Sequence, residues 1–191
     1  MDAKEYLSIL HVAERLKDAE RHCTTSNRRT ESVAEHCWRT ALMALLLKHE
    51  FSELDIGKVI EMCLIHDLGE CFTGDIPTFK KTDNDRAAEE EKLNDWLNTL
   101  PVEIKGSFSA LFQEMKMQKT DEARLFNAID KLEALIQHNE SPLDTWSENE
   151  IELNKTYAFD KVDFSEWLLA LRKEILSDTL KKLEESPHDS V

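Results

Sequence analysis

The chain has 191 residues, 24 of them basic and 39 acidic, so its formal net charge is −15. This charge opposes binding to nucleic acid polymers and to anionic membrane surfaces. Its longest apolar run, residues 41–47, is too short to cross a bilayer, and no signal-peptide pattern opens the sequence. We therefore expect a cytoplasmic protein whose partners are small molecules.

Composition favours helices over strands. Only four glycines and four prolines occur, and 33% of the residues are charged. Long stretches are rich in Leu, Ala, Glu and Lys, which are strong helix formers. We predict an all-α fold in one domain, residues 1–185, followed by a disordered tail at residues 186–191. The four cysteines form no CxxC motif, and we expect them to be reduced thiols in the core.

Apolar periodicity and capping signals predict seven helices. In chain order they cover residues 3–19, 33–49, 52–68, 86–100, 101–115, 120–138 and a last stretch that opens at residue 163, and the longest predicted loops cover residues 21–30 and 70–83. Ser32 and Glu35 fit a capping box, in which each side chain accepts a hydrogen bond from the other residue's backbone N–H. Ser52, Thr120 and Asp163 are the predicted caps of three other helices.

The most informative feature is the pair His66 and Asp67, at the end of the third predicted helix. Burying an ionised carboxylate is costly unless it is paired or bound to a cation. A hydrogen bond between the two side chains would be one explanation. His36, near the start of the second helix, and Asp130, at the edge of the apolar stripe of the sixth, favour another. Two imidazoles and two carboxylates can hold one divalent ion and leave coordination positions open.

Open positions are typical of a catalytic metal site. Water bound to such an ion becomes a nucleophile near neutral pH, and the ion also stabilises charge on a substrate oxygen, which fits phosphate ester hydrolysis. Glu70 and Asp75 could hydrogen-bond that water and act as general base. For each of these two acids, a solvated surface position is the alternative in a chain with 39 acidic residues.

The ordered set His36, His66, Asp67 and Asp130 resembles the HD-domain metal-dependent phosphohydrolases. Three segments are similar, more narrowly, to the branch that contains the bacterial 5′-deoxynucleotidases: RTESVAEH at residues 29–36, HDLGE at residues 66–70 and TGDIP at residues 73–77. The similarity spans about residues 21–138 and implies a compact HD-domain bundle of helices. Residues 145–191 match nothing that assigns them a role.

The resemblance also implies roles for individual residues. A single divalent ion (Mn, Co, Fe, Zn or Mg) would be held by His36, His66, Asp67 and Asp130. Glu70 and Asp75 would act in catalysis, and Arg21, by its spacing from His36, would contact the substrate phosphate. Beside that Arg, the enzymes most similar in pattern carry a Trp near the sugar. This chain has His22 there, so His22 is a predicted substrate contact, and the choice between ribose and deoxyribose stays open.

The leading hypothesis is a metal-dependent 5′-nucleotidase that hydrolyses (deoxy)nucleoside 5′-monophosphates to nucleoside and phosphate. One alternative is a hydrolase of nucleoside polyphosphates or of alarmones of the guanosine tetraphosphate type. Another is a non-catalytic nucleotide-binding helical protein. The chain has no histidine between Asp67 and Asp130, which favours one ion over the dinuclear sites of other HD enzymes. Related proteins are dimers, so the resemblance also implies a homodimer.

Overall fold

Ten α-helices and one two-stranded hairpin lie within residues 1–77 and 79–185, the part of the chain that the computed structural model describes. The helices are α1 (Ala3–Ala13), α2 (Val33–Leu46), α3 (Ile56–Ile65), α4 (Glu70–Thr73), α5 (Asp83–Leu97), α6 (Val102–Met117), α7 (Asp121–Glu140), α8 (Glu148–Thr156), α9 (Phe159–Val162) and α10 (Glu166–Glu185), and the strands are β1 (Glu20–Thr24) and β2 (Thr30–Ser32). The predicted all-α class is confirmed. The tail predicted at residues 186–191 lies outside the described residues.

Capping side chains set several helix starts. Ser32 caps α2 with Glu35 in the predicted capping box, and Thr120 caps α7 as predicted. The predicted cap at Ser52 is wrong, because the Asp55 carboxylate accepts the Lys58 N–H and α3 begins at Ile56. The cap predicted at Asp163 is also wrong: that residue ends α9, and α10 begins at Glu166.

The hairpin of β1 and β2 replaces part of the predicted loop at residues 21–30. The strands are antiparallel, with Glu20 opposite Ser32 and Thr24 opposite Thr30. Few apolar residues alternate here, so the period-two pattern that predicts a strand is weak. The first helix was predicted to reach residue 19, but α1 ends at Ala13. The chain then forms a 3-10 helix at Glu14–Lys17 before it enters β1.

The core is built around α7, which packs against α2, α3, α6 and α10. Leu125, Ile129 and Leu132 of α7 are fully buried. Most of the buried apolar residues form one contiguous cluster, and one domain at residues 1–185 stays a prediction. Within the described part of the chain, no helix combines the length and apolar character that crossing a bilayer requires. Because α2, α3 and α7 meet in this core, polar residues on their facing turns are brought together.

Candidate metal centre and active site

The structure brings the four predicted metal ligands together. His36 lies in the first turn of α2, His66 and Asp67 follow the end of α3, and Asp130 lies in the middle of α7. The two imidazole Nε2 atoms are 3.3 Å apart. His66 Nε2 lies 3.0 Å from Asp67 Oδ2, and His36 Nε2 lies 3.2 Å from Asp130 Oδ1. Four potential donor atoms thus converge from three helices.

The charges in this cluster fit a bound cation. Burial alone would lower the pKa of His66, but the Asp67 carboxylate and the Cys37 thiol together hold that pKa well above its usual value. Burial would raise the pKa of Asp67, but His66 brings it down to about 2. The carboxylates therefore stay ionised and are stabilised by positive charge beside them. A divalent ion bound to neutral imidazoles would supply that charge.

Both imidazoles are held by their other ring nitrogen. His66 Nδ1 donates to the carbonyl oxygen of Cys63 at 2.9 Å. His36 Nδ1 donates to the carboxylate of Glu133, which is fully buried in α7. In metal sites, such partners fix the tautomer and direct Nε2 to the ion. Glu133 is a positioning residue that the sequence analysis missed, although a Glu beside Leu132 in an apolar stripe was a visible signal.

Arg21 reaches the same network from β1. Its Nε lies 2.9 Å from Glu31 Oε2, and its guanidinium lies 4.0 Å from the Glu133 carboxylate. Burial would lower the pKa of Arg21, but these carboxylates raise it, so the guanidinium is charged. The Cys23 thiol also donates to Glu31, at 3.1 Å, which places Arg21 and Cys23 on the same face of the strand.

Glu70 and Asp75 lie beside the four donors. Glu70 opens α4 and is 7% exposed, and its Oε2 has no hydrogen-bond partner among the described residues. Burial, with the carboxylates of Asp67 and Asp75, raises the pKa of Glu70 to about 10. Asp75 follows Gly74, whose φ of 72° favours glycine, and burial raises the pKa of Asp75. An orphaned buried carboxyl next to the donors is what a site for a cation and its water requires.

A cavity of about 690 Å³ opens beside the cluster, and His66, Asp130, Lys81 and Phe126 are among its lining residues. His22 is in a different place. It projects from the opposite face of β1 to Arg21, with its Nε2 3.5 Å from Glu150 Oε1, and it lines a separate cavity of about 230 Å³. The structure thus places Arg21 with the metal cluster and His22 outside it.

This chain is similar to several known proteins. The 5′-deoxynucleotidase HDDC2 of Dictyostelium discoideum is 32% identical over 147 residues, which cover 69% of this chain and 75% of that protein. The protein of the same name from Homo sapiens is 29% identical over 143 residues, covering 72% and 69%. The crystal structure of a predicted metal-dependent phosphohydrolase from Magnetospirillum magnetotacticum MS-1 matches with a TM-score of 0.76 and 27% identity, covering 96% of this chain and 98% of that one.

The family model described as HD domain matches residues 13–172. That span contains all four converging donors together with Arg21, Glu70 and Asp75. It also covers α2, α3, α6 and α7 in full and α10 as far as residue 172. The predicted family is therefore confirmed, and this chain belongs to the HD domain family.

Proposed function

We propose that the protein is a metal-dependent 5′-nucleotidase, which hydrolyses (deoxy)nucleoside 5′-monophosphates to nucleoside and phosphate. The observation that carries this proposal is the convergence of two imidazoles and two carboxylates beside a buried, unpartnered carboxyl, Glu70. The predicted phosphohydrolase class agrees with the family and with the two 5′-deoxynucleotidase relatives.

His36, His66, Asp67 and Asp130 would hold one divalent ion, and the donor set suits Mn, Co, Fe, Zn or Mg. When bound, the ion supplies a Lewis acid and lowers the pKa of water. Glu133 and the Cys63 carbonyl keep the two Nε2 atoms aimed at the site. Lys131 Nζ donates a hydrogen bond to Asp130 Oδ2 at 2.7 Å, which leaves Oδ1 of that carboxylate for the ion.

Glu70 is the proposed general base. Its free Oε2 would take a proton from the attacking water as the bond from oxygen to phosphorus forms, and positive charge beside Asp67 would lower the pKa of Glu70 from its raised value. As the bond from phosphorus to O5′ breaks, the nucleoside oxygen needs a proton. Asp75, whose pKa burial also raises and whose carboxylate acts on the pKa of Glu70, would share in that proton transfer.

Two residues are proposed to contact the substrate. Arg21 would neutralise the phosphate, because its guanidinium is charged, mostly buried and close to the metal cluster. His22 would act at the nucleoside end, from the wall of its own cavity. The two side chains project from opposite faces of β1. A substrate that contacts both would therefore extend around the edge of the hairpin.

A homodimer and a cytoplasmic location are also proposed. An exposed apolar face of α2 supports the first: Trp38, Leu42, Leu45 and Leu46 are 63%, 37%, 52% and 70% exposed. The four free cysteines support the second, since reduced thiols are typical of the cytosol.

Phosphate release from a panel of ribo- and deoxynucleoside 5′-monophosphates, assayed with several divalent metals, tests the function. We expect release that depends on metal and disappears in the His66→Ala/Asp67→Ala variant with unchanged helicity. Release from polyphosphates or alarmones, and none from monophosphates, would instead favour the polyphosphate hydrolase. No hydrolysis of any nucleotide would favour a protein that only binds them.

A further inference from the structure

A second cluster of metal-binding side chains lies outside the catalytic site. His22 on β1, His138 in the last turn of α7 and Glu150 on α8 bring their ligand atoms within 4.8 Å of one another. Nε2 of His22 and Nε2 of His138 each lie 3.5 Å from the same atom, Oε1 of Glu150. Three separate elements therefore aim these atoms at one point.

Each buried member is held so that its free atom faces the cluster. His138 Nδ1 donates to the carbonyl oxygen of Ala134 at 3.1 Å, and its Nε2 has no hydrogen-bond partner among the described residues. The His138 side chain is 10% exposed. Glu150 Oε2 accepts from the backbone N–H and the hydroxyl of Ser147, at 2.6 and 2.7 Å, which leaves Oε1 for the imidazoles.

The spacing fits a shared ion better than hydrogen bonds. A hydrogen bond between an imidazolium and a carboxylate is about 2.7–2.9 Å long, and contacts near 3.6 Å no longer count. Nitrogen and oxygen ligands about 2.0–2.2 Å from a tetrahedral ion lie about 3.3–3.5 Å apart. The two contacts of 3.5 Å match the second geometry.

Aromatic rings pack against the two imidazoles of the cluster. Phe79 meets the His22 ring and Trp146 meets the His138 ring, both edge to face, with centroids 5.6 and 5.5 Å apart. The His22 side chain is 25% exposed, so the cluster can be reached from outside. The neighbouring cavity of about 230 Å³, lined also by Leu153 and Tyr157, leaves room for a fourth ligand.

We propose that His22, His138 and Glu150 form a second metal site, which binds a divalent transition ion of the zinc class and leaves its fourth position open to the cavity. The site is distinct from the catalytic cluster. Asp130, Ala134 and His138 follow one face of α7 at intervals of four residues, so His138 lies about 12 Å along the helix from Asp130. Binding at this site does not depend on the proposed phosphatase activity.

Co²⁺ titration of the chelator-treated protein tests the proposal, followed by calorimetry and by visible absorption, which reports four-coordinate Co²⁺. We expect two ions per chain in the parent and one in Glu150→Gln. Gln still completes the capping box with Ser147, so the change removes charge without removing the cap. Glu152→Gln, an exposed site on the same helix, should keep two ions and is the matched control.

The reciprocal variant, His66→Ala/Asp67→Ala, should keep one ion, whose absorption disappears when Glu150→Gln is added. An ion count in Glu150→Gln equal to that of the parent overturns the proposal, whether the parent binds one ion or two. If the double Ala variant loses helicity by circular dichroism, the parent and Glu150→Gln decide the question by themselves. Because no substrate is used, the loss of one ion in Glu150→Gln is expected even if the protein does not hydrolyse nucleotides.

Discussion

Glu133 accepts a hydrogen bond from His36 Nδ1 inside the core, and this contact joins the middle of α7 to the first turn of α2 across 97 residues of sequence. The carboxylate is fully buried, and the guanidinium groups of Arg39 and Arg21 lie 3.8 and 4.0 Å from it. The two cations make a buried anion tolerable, and the anion in turn fixes the tautomer and direction of His36.

Replacing Glu133 with Gln should therefore weaken the catalytic metal site without removing a ligand. We expect the Mn²⁺ concentration for half-maximal phosphate release to rise about 10–100-fold, the usual effect of losing such a partner. Glu140→Gln changes the other, half-exposed carboxylate that pairs with Arg39 and should leave this concentration unchanged. An unchanged value in Glu133→Gln would show that His36 is oriented by packing alone.

Replacing Glu70 with Gln should keep the metal and abolish most of the turnover. The amide fills the same space but cannot take a proton, and a general base contributes about 10²–10⁴-fold to a rate. The measurements are metal content by elemental analysis and kcat for a nucleoside monophosphate. Glu91→Gln, on the exposed side of α5, is the control. A Glu70→Gln rate near that of the parent would remove Glu70 from the mechanism.

Replacing Arg21 with Met should lower the free energy of unfolding by about 3–5 kcal/mol, since it leaves buried carboxylates without their cation. Denaturant unfolding measures this loss. In Arg21→Met/Glu31→Met the loss should be smaller than the sum of the two single changes, because the unpaired charge is gone. Arg28→Met breaks an ion pair whose side chains are 62% and 66% exposed, and it should leave the free energy of unfolding nearly unchanged. Equal losses for Arg21→Met and Arg28→Met would contradict the buried network.

Replacing Gln118 with Gly should stabilise the protein. Gln118 ends α6 in the left-handed region with φ of 48°, a conformation that glycine adopts without a steric cost. We expect a gain of about 0.5–1 kcal/mol in the free energy of unfolding. Gln113→Gly, inside the same helix, should instead cost about 1 kcal/mol. A loss of stability at position 118 would show that the Gln side chain does more than close the helix.

The four cysteines should resist alkylation in the native protein. Burial raises the pKa of Cys23 and Cys63 to about 12, that of Cys71 to about 11 and that of Cys37 in the same direction. The thiolate is the reactive form, so at pH 8 iodoacetamide should label Cys23, Cys63 and Cys71 at least about 100-fold more slowly than free cysteine, and Cys37 should also react more slowly. Mass spectrometry should find all four labelled after denaturation. Rapid native labelling of any one would show that its segment opens.

Local chemistry explains what the sequence predicted well. The capping box of Ser32 and Glu35 and the cap at Thr120 depend only on residues three positions apart, so they were predicted correctly. The cap predicted at Asp163 was wrong because that residue ends α9 before α10 begins. The hairpin was missed because its residues face polar partners on one side and so lack an apolar alternation.

The sequence by itself determined the all-α class, most of the helices, the family and the residues that could hold a metal. Apolar periodicity, capping signals and motif spacing depend only on the order of residues along the chain. Only the tertiary structure decided that Glu133 supports His36, and that His22 leaves β1 away from Arg21 and meets His138 and Glu150 instead. These contacts join residues far apart in sequence, and which of them form depends on how α2, α7 and α8 pack. That packing is set by the burial of many side chains together and by no single pattern in the chain.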